Sequence, residues 1–568
     1  MTNTKMRHST YTYTLAIIVA FGLLGCSKDF LERPPKSSIV DAGFYQTDDQ
    51  VLAATALLYS EVWFDYNDKA SYNLGDFRSG TAFSAYNDRG NVLFNTTGDT
   101  PENGTAWRSF FIVVGQSNLA IQNINKYAGD AVSADVKKIA IAEARFMRTL
   151  AYRFLVMNWG EVPVIENNLT LLSDTAIQKN TVSSIWKFIT HEMRAVASDL
   201  PVAPIREGRV TKWSAEAMLA RFYLTRAGVS EGNDNPHPRN QVFLDSAKYF
   251  AERVINQSGA SLKQSYADLF LYPYDNNTES LFSLQWVYSP GAYGTQNTTP
   301  AYLAYSSDID NGNGWGGDKS ATFWMLSQYD GFTANVAGDV LKGRTIDQRL
   351  KATFMLPGFS YPEITQTLHN PDGEQRLVFP FTGSDNNFAS IKKYVTGKAK
   401  DVGGNSASQN YPNDTYMIRL AEVYLIYAEA VLGNSASTSD ATALDYFNRV
   451  HRRSGLPLFT DALTPDVLFK ERFIEFAMEG MAWYDLVSLH YYDKNKAYAI
   501  LNSQDRGLFF VKPDVFPNPT EWTITKTAWA TTDRKINAGD GNFLLPIPTA
   551  EISQAPNLHK TAVDYYNK

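Results

Sequence analysis

The stretch from Glu143 to Val164, EARFMRTLAYRFLVMNWGEVPV, constrains this chain more than any other because its helix and its stop are both explicit. Met147, Leu150, Ala151 and Phe154 fall at i, i+3, i+4 and i+7, so they share one face of a 3.6-residue helix that has to be buried. Gly160 can take the left-handed conformation past the last turn, and Pro163 lacks the N–H that would continue the ladder. Two later stretches are built alike: AEAMLARFYLTRAG from Ala215 and AEVYLIYAEAVLG from Ala421, the second closed by Gly433. Their irregular spacing excludes a strict solenoid and leaves a broken array of helix pairs with long insertions.

Periodicity places helices over 51–62, 107–123, 134–157, 183–200, 212–227 and 241–257, and a helical style returns from Tyr416 to Val487. Residues 272–409 differ in kind, being rich in Gly, Asn, Ser, Tyr and Trp, with short strand-like runs such as SLFSLQWVY and RLVFPF. Long loops inside a compact domain are usually functional or mobile. The fold class expected is mainly α: a tetratricopeptide-like helix-pair scaffold with a long irregular loop-rich region and a few short strands.

The chain of 568 residues is 44% hydrophobic and 20% charged, the composition of a folded globular protein. Its formal charge of −7 comes with no basic tract able to follow a phosphate backbone, which argues against nucleic acid as a partner. Residues 1–25 read as an export signal: Lys5 and Arg7, then an apolar run from Leu15 to Leu24 too short to span a bilayer. The small Gly25 followed by Cys26, the only cysteine, resembles a bacterial lipobox, in which the chain is cut before the cysteine and acyl chains are added to it. Cys26 is therefore the expected lipidation site and the route to the membrane. Residues 26–40, with Pro34-Pro35, read as an extended tether, and 41–568 as one domain with an N-terminal helical part (41–235) and a loop-rich and C-terminal helical part (236–568).

Enzyme signatures fail on inspection, and no catalytic residue is assigned. His191-Glu192 begins a zinc-protease HExxH, but Ala195 stands where the second histidine is needed. Gly312 to Gly317 satisfies G-x-G-x-x-G without the buried strand a dinucleotide loop requires, and reads as a flexible loop. Asp308, Asp310 and Asp318 miss the order of a calcium-binding EF-hand. No metal or cofactor is expected.

The chemistry that remains is aromatic. Sugars lay their C–H faces on Trp and Tyr rings while Asn, Asp and Arg bond their hydroxyls. One stretch offers Tyr72, Asp76, Arg78, Phe83, Tyr86 and Asn87; another offers Trp286, Tyr288, Tyr293, Tyr302, Tyr305, Trp315 and Trp324. Trp107, Trp159, Trp213 and Trp483 lie on helix motifs and read as core. The ligand-binding candidates are Trp315, Tyr293, Trp324, Trp286, Asp76, Arg78 and Tyr86, with Trp315 foremost because glycines and asparagines flank it.

Five blocks in order resemble the SusD/RagB family of nutrient-binding outer-membrane lipoproteins: the opening stretch, TKWSAEAMLARFYL from Thr211, MIRLAEVYLIYAEA from Met417, ERFIEFAMEGMAWYDL from Glu471 and LLPIPTAEI from Leu544. The ending HKTAVDYYNK, and His451 where the family commonly has Arg, depart from its pattern. The resemblance implies the same helical architecture and a lipid-anchored, surface-exposed protein of the outer membrane. It would capture oligosaccharides and deliver them to a SusC-like TonB-dependent transporter. A peptide-capturing RagB-like lid is the alternative, and a lipid-anchored hydrolase is the third reading.

Overall fold

The computed structural model describes residues 41–567 apart from 88, 173–175, 231, 233, 292, 367–374, 381–387 and 528–534. The export signal, Cys26 and the tether to residue 40 lie outside the described residues. Among the described residues no helix is long and apolar enough to cross a membrane.

The architecture is mainly α. Helix α1 is Asp48–Ala56, α2 Pro101–Tyr127, α3 Ala134–Trp159, α4 Val182–Asp199, α5 Lys212–Ala227 and α6 Gln241–Gln257. They are followed by α7 Leu420–Leu432, α8 Ala441–Arg453, α9 Pro465–Phe476, α10 Ala482–Tyr492 and α11 Lys494–Asn502. The starts are written in side chains that accept a free backbone N–H: Thr47, Ser133, Thr181, Thr211, Asn240, Asp440 and Thr464 each cap a helix. Gly160 ends α3 at φ +72° and Gly433 ends α7 at φ +54°, as the sequence requires. The first helix is shorter than its pattern: α1 stops at Ala56 and the chain continues in two 3₁₀ turns, Leu57–Tyr59 and Glu61–Trp63.

Each helix from α2 to α8 packs on the next, α2 on α3 through to α7 on α8. The array is unbroken even where the chain is not, since α6 packs on α7 although residues 258–419 intervene. Its core buries Met147, Leu150, Ala151 and Phe154 of the opening stretch together with Trp107, Trp159 and Trp483. Trp213 is 9% exposed, so all four helix tryptophans are packing residues.

A second core gathers much of the intervening region together with residues from 72–92, 474–478 and 509–524. Strand β1 is Ala82–Ser84, β2 Ser280–Leu284, β3 Lys319–Ala321, β4 Phe332–Ala334, β5 Val340–Gly343, β6 Phe354–Met355, β7 Ser360–Gln366, β8 Gln375–Val378, β9 Ser390–Ile391, β10 Thr415–Arg419, β11 Phe509–Pro513 and β12 Trp522–Lys526. The largest sheet has the order β11-β12-β5-β4, all antiparallel. One face points Phe509, Val511, Trp522, Ile524 and Leu341 into a second cluster with Tyr72, Phe77 and Phe83. The strands are few and short, as the composition leads one to expect, and with the loops between them they form a second layer docked on the helices.

Charges weld the two layers. Arg419, at the end of β10, donates to Glu479 from Nε (2.8 Å) and Nη2 (2.7 Å), to Glu279 and Glu475 from Nη1 (2.8 and 2.7 Å), and to the Glu475 carbonyl from Nη2 (3.1 Å). Arg349 joins Asp347, Glu471 and Glu475, while Arg453 joins Glu279 and Glu475. Burial alone would raise the Glu475 carboxyl, but Arg453, Arg419 and Arg349 together hold it well below its usual range.

Candidate functional site

The sequence candidates separate into buried and presented groups. Asp76 and Arg78 are interior, at 0% and 1% exposure. Asp76 lies within the π-helical turn Asn73–Phe77 and Arg78 caps its end, and every residue of the turn is buried. The Asp76 carboxylate accepts the N–H groups of Met478 (2.7 Å) and Gly480 (2.9 Å) and the Thr81 hydroxyl (3.0 Å), clamping the turn between α9 and α10. Burial without a contacting cation pushes its carboxyl up to about 7 against those three donors. Arg78 donates to the carbonyls of Asn542 and Phe543, both at 2.7 Å, and lies between the rings of Phe94 and Trp483 at 4.4 and 4.7 Å. Burial lowers it to about 9. Neither residue reaches a ligand.

Two tryptophans are likewise packing groups. Trp286 is 3% exposed, its Nε1 donating to Thr415 Oγ1 at 3.0 Å and its N–H to Asp414 Oδ1 at 3.0 Å. Trp324, in the short helix Phe323–Ser327, packs edge-on against Phe473 at 5.4 Å where the two cores meet. Both were drawn into the candidate set by composition; neighbours in β10 place Trp286 in the interior, while Trp324 is half-buried between the two cores.

Trp315, Tyr293 and Tyr86 are presented, at 43%, 71% and 71% exposure. The Trp315 turn is packed and hydrogen-bonded against the 301–306 backbone, in place of the loose loop expected from its glycines. A Cβ on Gly314 would meet the Ser306 carbonyl carbon at 2.1 Å, and one on Gly316 the Leu303 oxygen at 2.1 Å, so these glycines permit close backbone contact. Trp315 N–H donates to the Ala301 carbonyl (3.0 Å) and Gly316 N–H to that of Ala304 (2.7 Å). Asp310 accepts the N–H groups of Asn313 and Gly314 at 3.2 and 3.3 Å, and Asn313 Nδ2 donates to Ser408 Oγ at 2.7 Å.

Around this ring the fold joins two of the sequence's aromatics, Tyr302 and Tyr293, to Lys69, Phe64 and Asp68, which the sequence did not single out. The Trp315 ring lies 5.1 Å from that of Tyr302, and Lys69 Nζ stands 5.0 Å from the Tyr302 centroid. Tyr293 packs on Phe64 at 4.9 Å. Phe64 and Asp68 are four residues apart at the turn Tyr66–Ala70, and the Asp68 Oδ1 atom accepts the Thr298 hydroxyl at 2.7 Å. Asn67 Nδ2 donates to Asn297 Oδ1 at 2.8 Å, fixing the two segments together. Beside them opens a cleft of about 270 Å³ lined by Asp65, Asp68, Lys69, Asn73, Asn91, Glu102 and Thr105 among others. Burial and the nearby Asp68 push the Tyr302 hydroxyl up to about 12, and burial with Asp68 and Asp65 raises that of Tyr293, so both remain hydrogen-bond donors at neutral pH.

Tyr86 reaches the same neighbourhood through β1. Ser84 pairs with Lys319 across the β1-β3 ladder, and Asp318 Oδ2 accepts Ser84 Oγ (2.7 Å) and Asn87 Nδ2 (3.0 Å), three residues after Trp315. The other enzyme-like motifs are spent on structure. Glu192 of the broken zinc motif is held by Arg145 and Arg148 at 2.8 and 2.7 Å, and no cluster of metal-ligating side chains occurs among the described residues. The arrangement offers flat rings, hydroxyls, amides and carboxylates at an open surface, the chemistry of carbohydrate contact.

Comparison with known proteins bears on the whole chain. A model described as the SusD family matches residues 278–566, and one described as starch-binding associating with outer membrane matches 29–224. A SusD-like protein of Bacteroides ovatus is 33% identical over 97% of this chain and 98% of its own length. SusD-like protein P25 of Formosa agariphila is 22% identical over 77% of this chain and 80% of its own. A crystal structure determined with xylogluco-oligosaccharide superposes with a TM-score of 0.78 at 31% identity, covering 91% of this chain and 99% of that one. A laminarin-binding SusD-like protein shares the fold, with a TM-score of 0.65 at 20% identity over 90% and 99% of the two chains.

Proposed function

The chain belongs to the SusD family, and from that premise we propose that it captures oligosaccharides at the cell surface and passes them to a SusC-like TonB-dependent transporter, without catalysis. The observation that carries this reading is the exposed Trp315 ring on a turn held by backbone contacts, with Tyr302, Tyr293 and an open polar cleft beside it. A relative of similar fold and 31% identity was crystallised with xylogluco-oligosaccharide, which supports the ligand class. The lipobox-like Gly25-Cys26 supports a lipid anchor in the outer membrane, with residues 26–40 as the tether.

The test is binding of the full chain in detergent to a panel of xyloglucan, laminarin, starch and peptides, with Trp315→Ala beside the wild type. A dominant stacked ring is worth about 2 kcal/mol, so affinity for the cognate glycan should fall about 30-fold. Binding of peptides and no glycan, or a glycan affinity indifferent to Trp315→Ala, would overturn the reading.

A further inference from the structure

We propose that the cleft joined through Lys69 to the Tyr302–Trp315 ring pair selects uncharged glycans and rejects acidic ones, with Asp65, Asp68 and Glu102 as the residues that set this selectivity. The inference rests on the glycan-binding reading and adds its charge preference. Those three carboxylates line the cleft against a single lining cation, Lys69. Lys69 is drawn to the Tyr302 ring at 5.0 Å. Asp65 has Arg108 at 3.4 Å, on a side chain 69% exposed and largely screened by water. Asp68 has a hydroxyl partner in Thr298 and no cation within 4 Å among the described residues, and Glu102 likewise has no such cation. A fourth carboxylate, Glu61, stands beside Gly294 in the turn that carries Tyr293.

The chemistry follows from what a carboxylate can do. It only accepts hydrogen bonds, and a neutral sugar presents hydroxyl donors at every position, so the pair is well matched. A uronate or sulfate brings a second anion to the same rim, and the cleft holds no unengaged arginine to take it; acidic ligands are instead recognised by forked guanidinium donors. The Thr298–Asp68 bond ties the 61–70 segment to the strip that carries Tyr302, and Lys69 of the same cleft stands 5.0 Å from the Tyr302 ring, itself 5.1 Å from that of Trp315.

The experiment takes the neutral polysaccharide that binds the full chain best and the same polymer after oxidation of its primary alcohols to carboxylates. Affinities are measured from 20 mM to 500 mM salt, for the wild type and for Asp68→Asn combined with Glu102→Gln. The oxidised polymer should bind at least tenfold more weakly at low salt. That gap should shrink as the screening length shortens to about 8 Å at 0.15 M and below, and it should close to within about threefold in the double variant. An oxidised polymer that binds equally or more tightly overturns the proposal and leaves glycan binding standing. A gap unchanged by salt and by the double variant also overturns it, since the loss is then that of a hydroxyl contact. If the wild type retains no polysaccharide, the proposal falls together with the reading beneath it.

Discussion

Arg419 offers the sharpest test of how the two layers are held. It is 1% exposed and makes all five of its bonds to Glu479, Glu279, Glu475 and the Glu475 carbonyl. Arg419→Met removes every donor while each carboxylate keeps at least one other cation: Lys393 on Glu479, Arg453 on Glu279, and Arg453 with Arg349 on Glu475. Breaking a buried pair costs about 3–5 kcal/mol, and with three carboxylates affected the upper end, about 5 kcal/mol, is expected. Arg419→Lys keeps the charge but offers three donors for five bonds; two lost charge-assisted bonds cost about 3 kcal/mol. Urea unfolding followed by tryptophan fluorescence, with the m-value checked against wild type, reads both numbers. The reasoning is refuted if Arg419→Met lies within 1 kcal/mol of wild type at unchanged m, or if Lys is no better than Met.

Glu475 and Glu422 both have carboxyls depressed in the fold, Glu422 to about 2 by Arg221 and Arg472 against its burial, so their stabilisation is complete above about pH 4.3 and drains away as pH falls through the folded values. Melting temperature should thus drop steeply between pH 4.5 and 2; a flat profile there would contradict the network. Asp76 is the opposite case: its carboxyl rises from about 3.9 unfolded to about 7, so its contribution is full below pH 4 and is lost as pH climbs to 7, and Asp76→Asn should flatten that part of the melting curve. A slope identical in the variant would assign the titration elsewhere. Gly316→Ala drives a methyl into the Leu303 carbonyl and should weaken glycan binding at least tenfold with Trp315 itself intact, measured on the same polymer; wild-type affinity would show that the turn is looser than its contacts imply. Cys26→Ala should leave a folded protein in the soluble fraction after cell lysis, and high-salt-resistant membrane association would dismiss the lipid anchor.

The helices were legible because their signals are local. Helices α5 and α6 begin and end where periodicity and caps place them, and Gly160 and Pro163 close α3 within the residues that announce the stop. The 71–91 segment was misleading for a non-local reason: Asp76 and Arg78 are polar because of backbone groups at 478–480 and 542–543, and nothing near them in sequence reveals those partners. Glycines around Trp315 correctly marked a presented ring, but they serve contact with Leu303 and Ser306 and not freedom. Phe64 and Asp68 escaped notice because they trail an apolar helix pattern; their spacing of four was the available signal, and only the 297–302 strip gives it meaning.

The bond from Asn67 to Asn297 spans 230 residues, so the aromatic surface depends on a non-local contact of the kind that is costly to close. During synthesis the 61–70 segment precedes 293–315, so the chain carries no complete platform until the second layer has docked. On the proposed function, a bound glycan would act as a clasp on that docking. At a hundredfold excess over Kd it adds about 2.7 kcal/mol to the assembled state alone, protecting the seam between the layers from proteolysis while leaving the remote face of the helical array as it was.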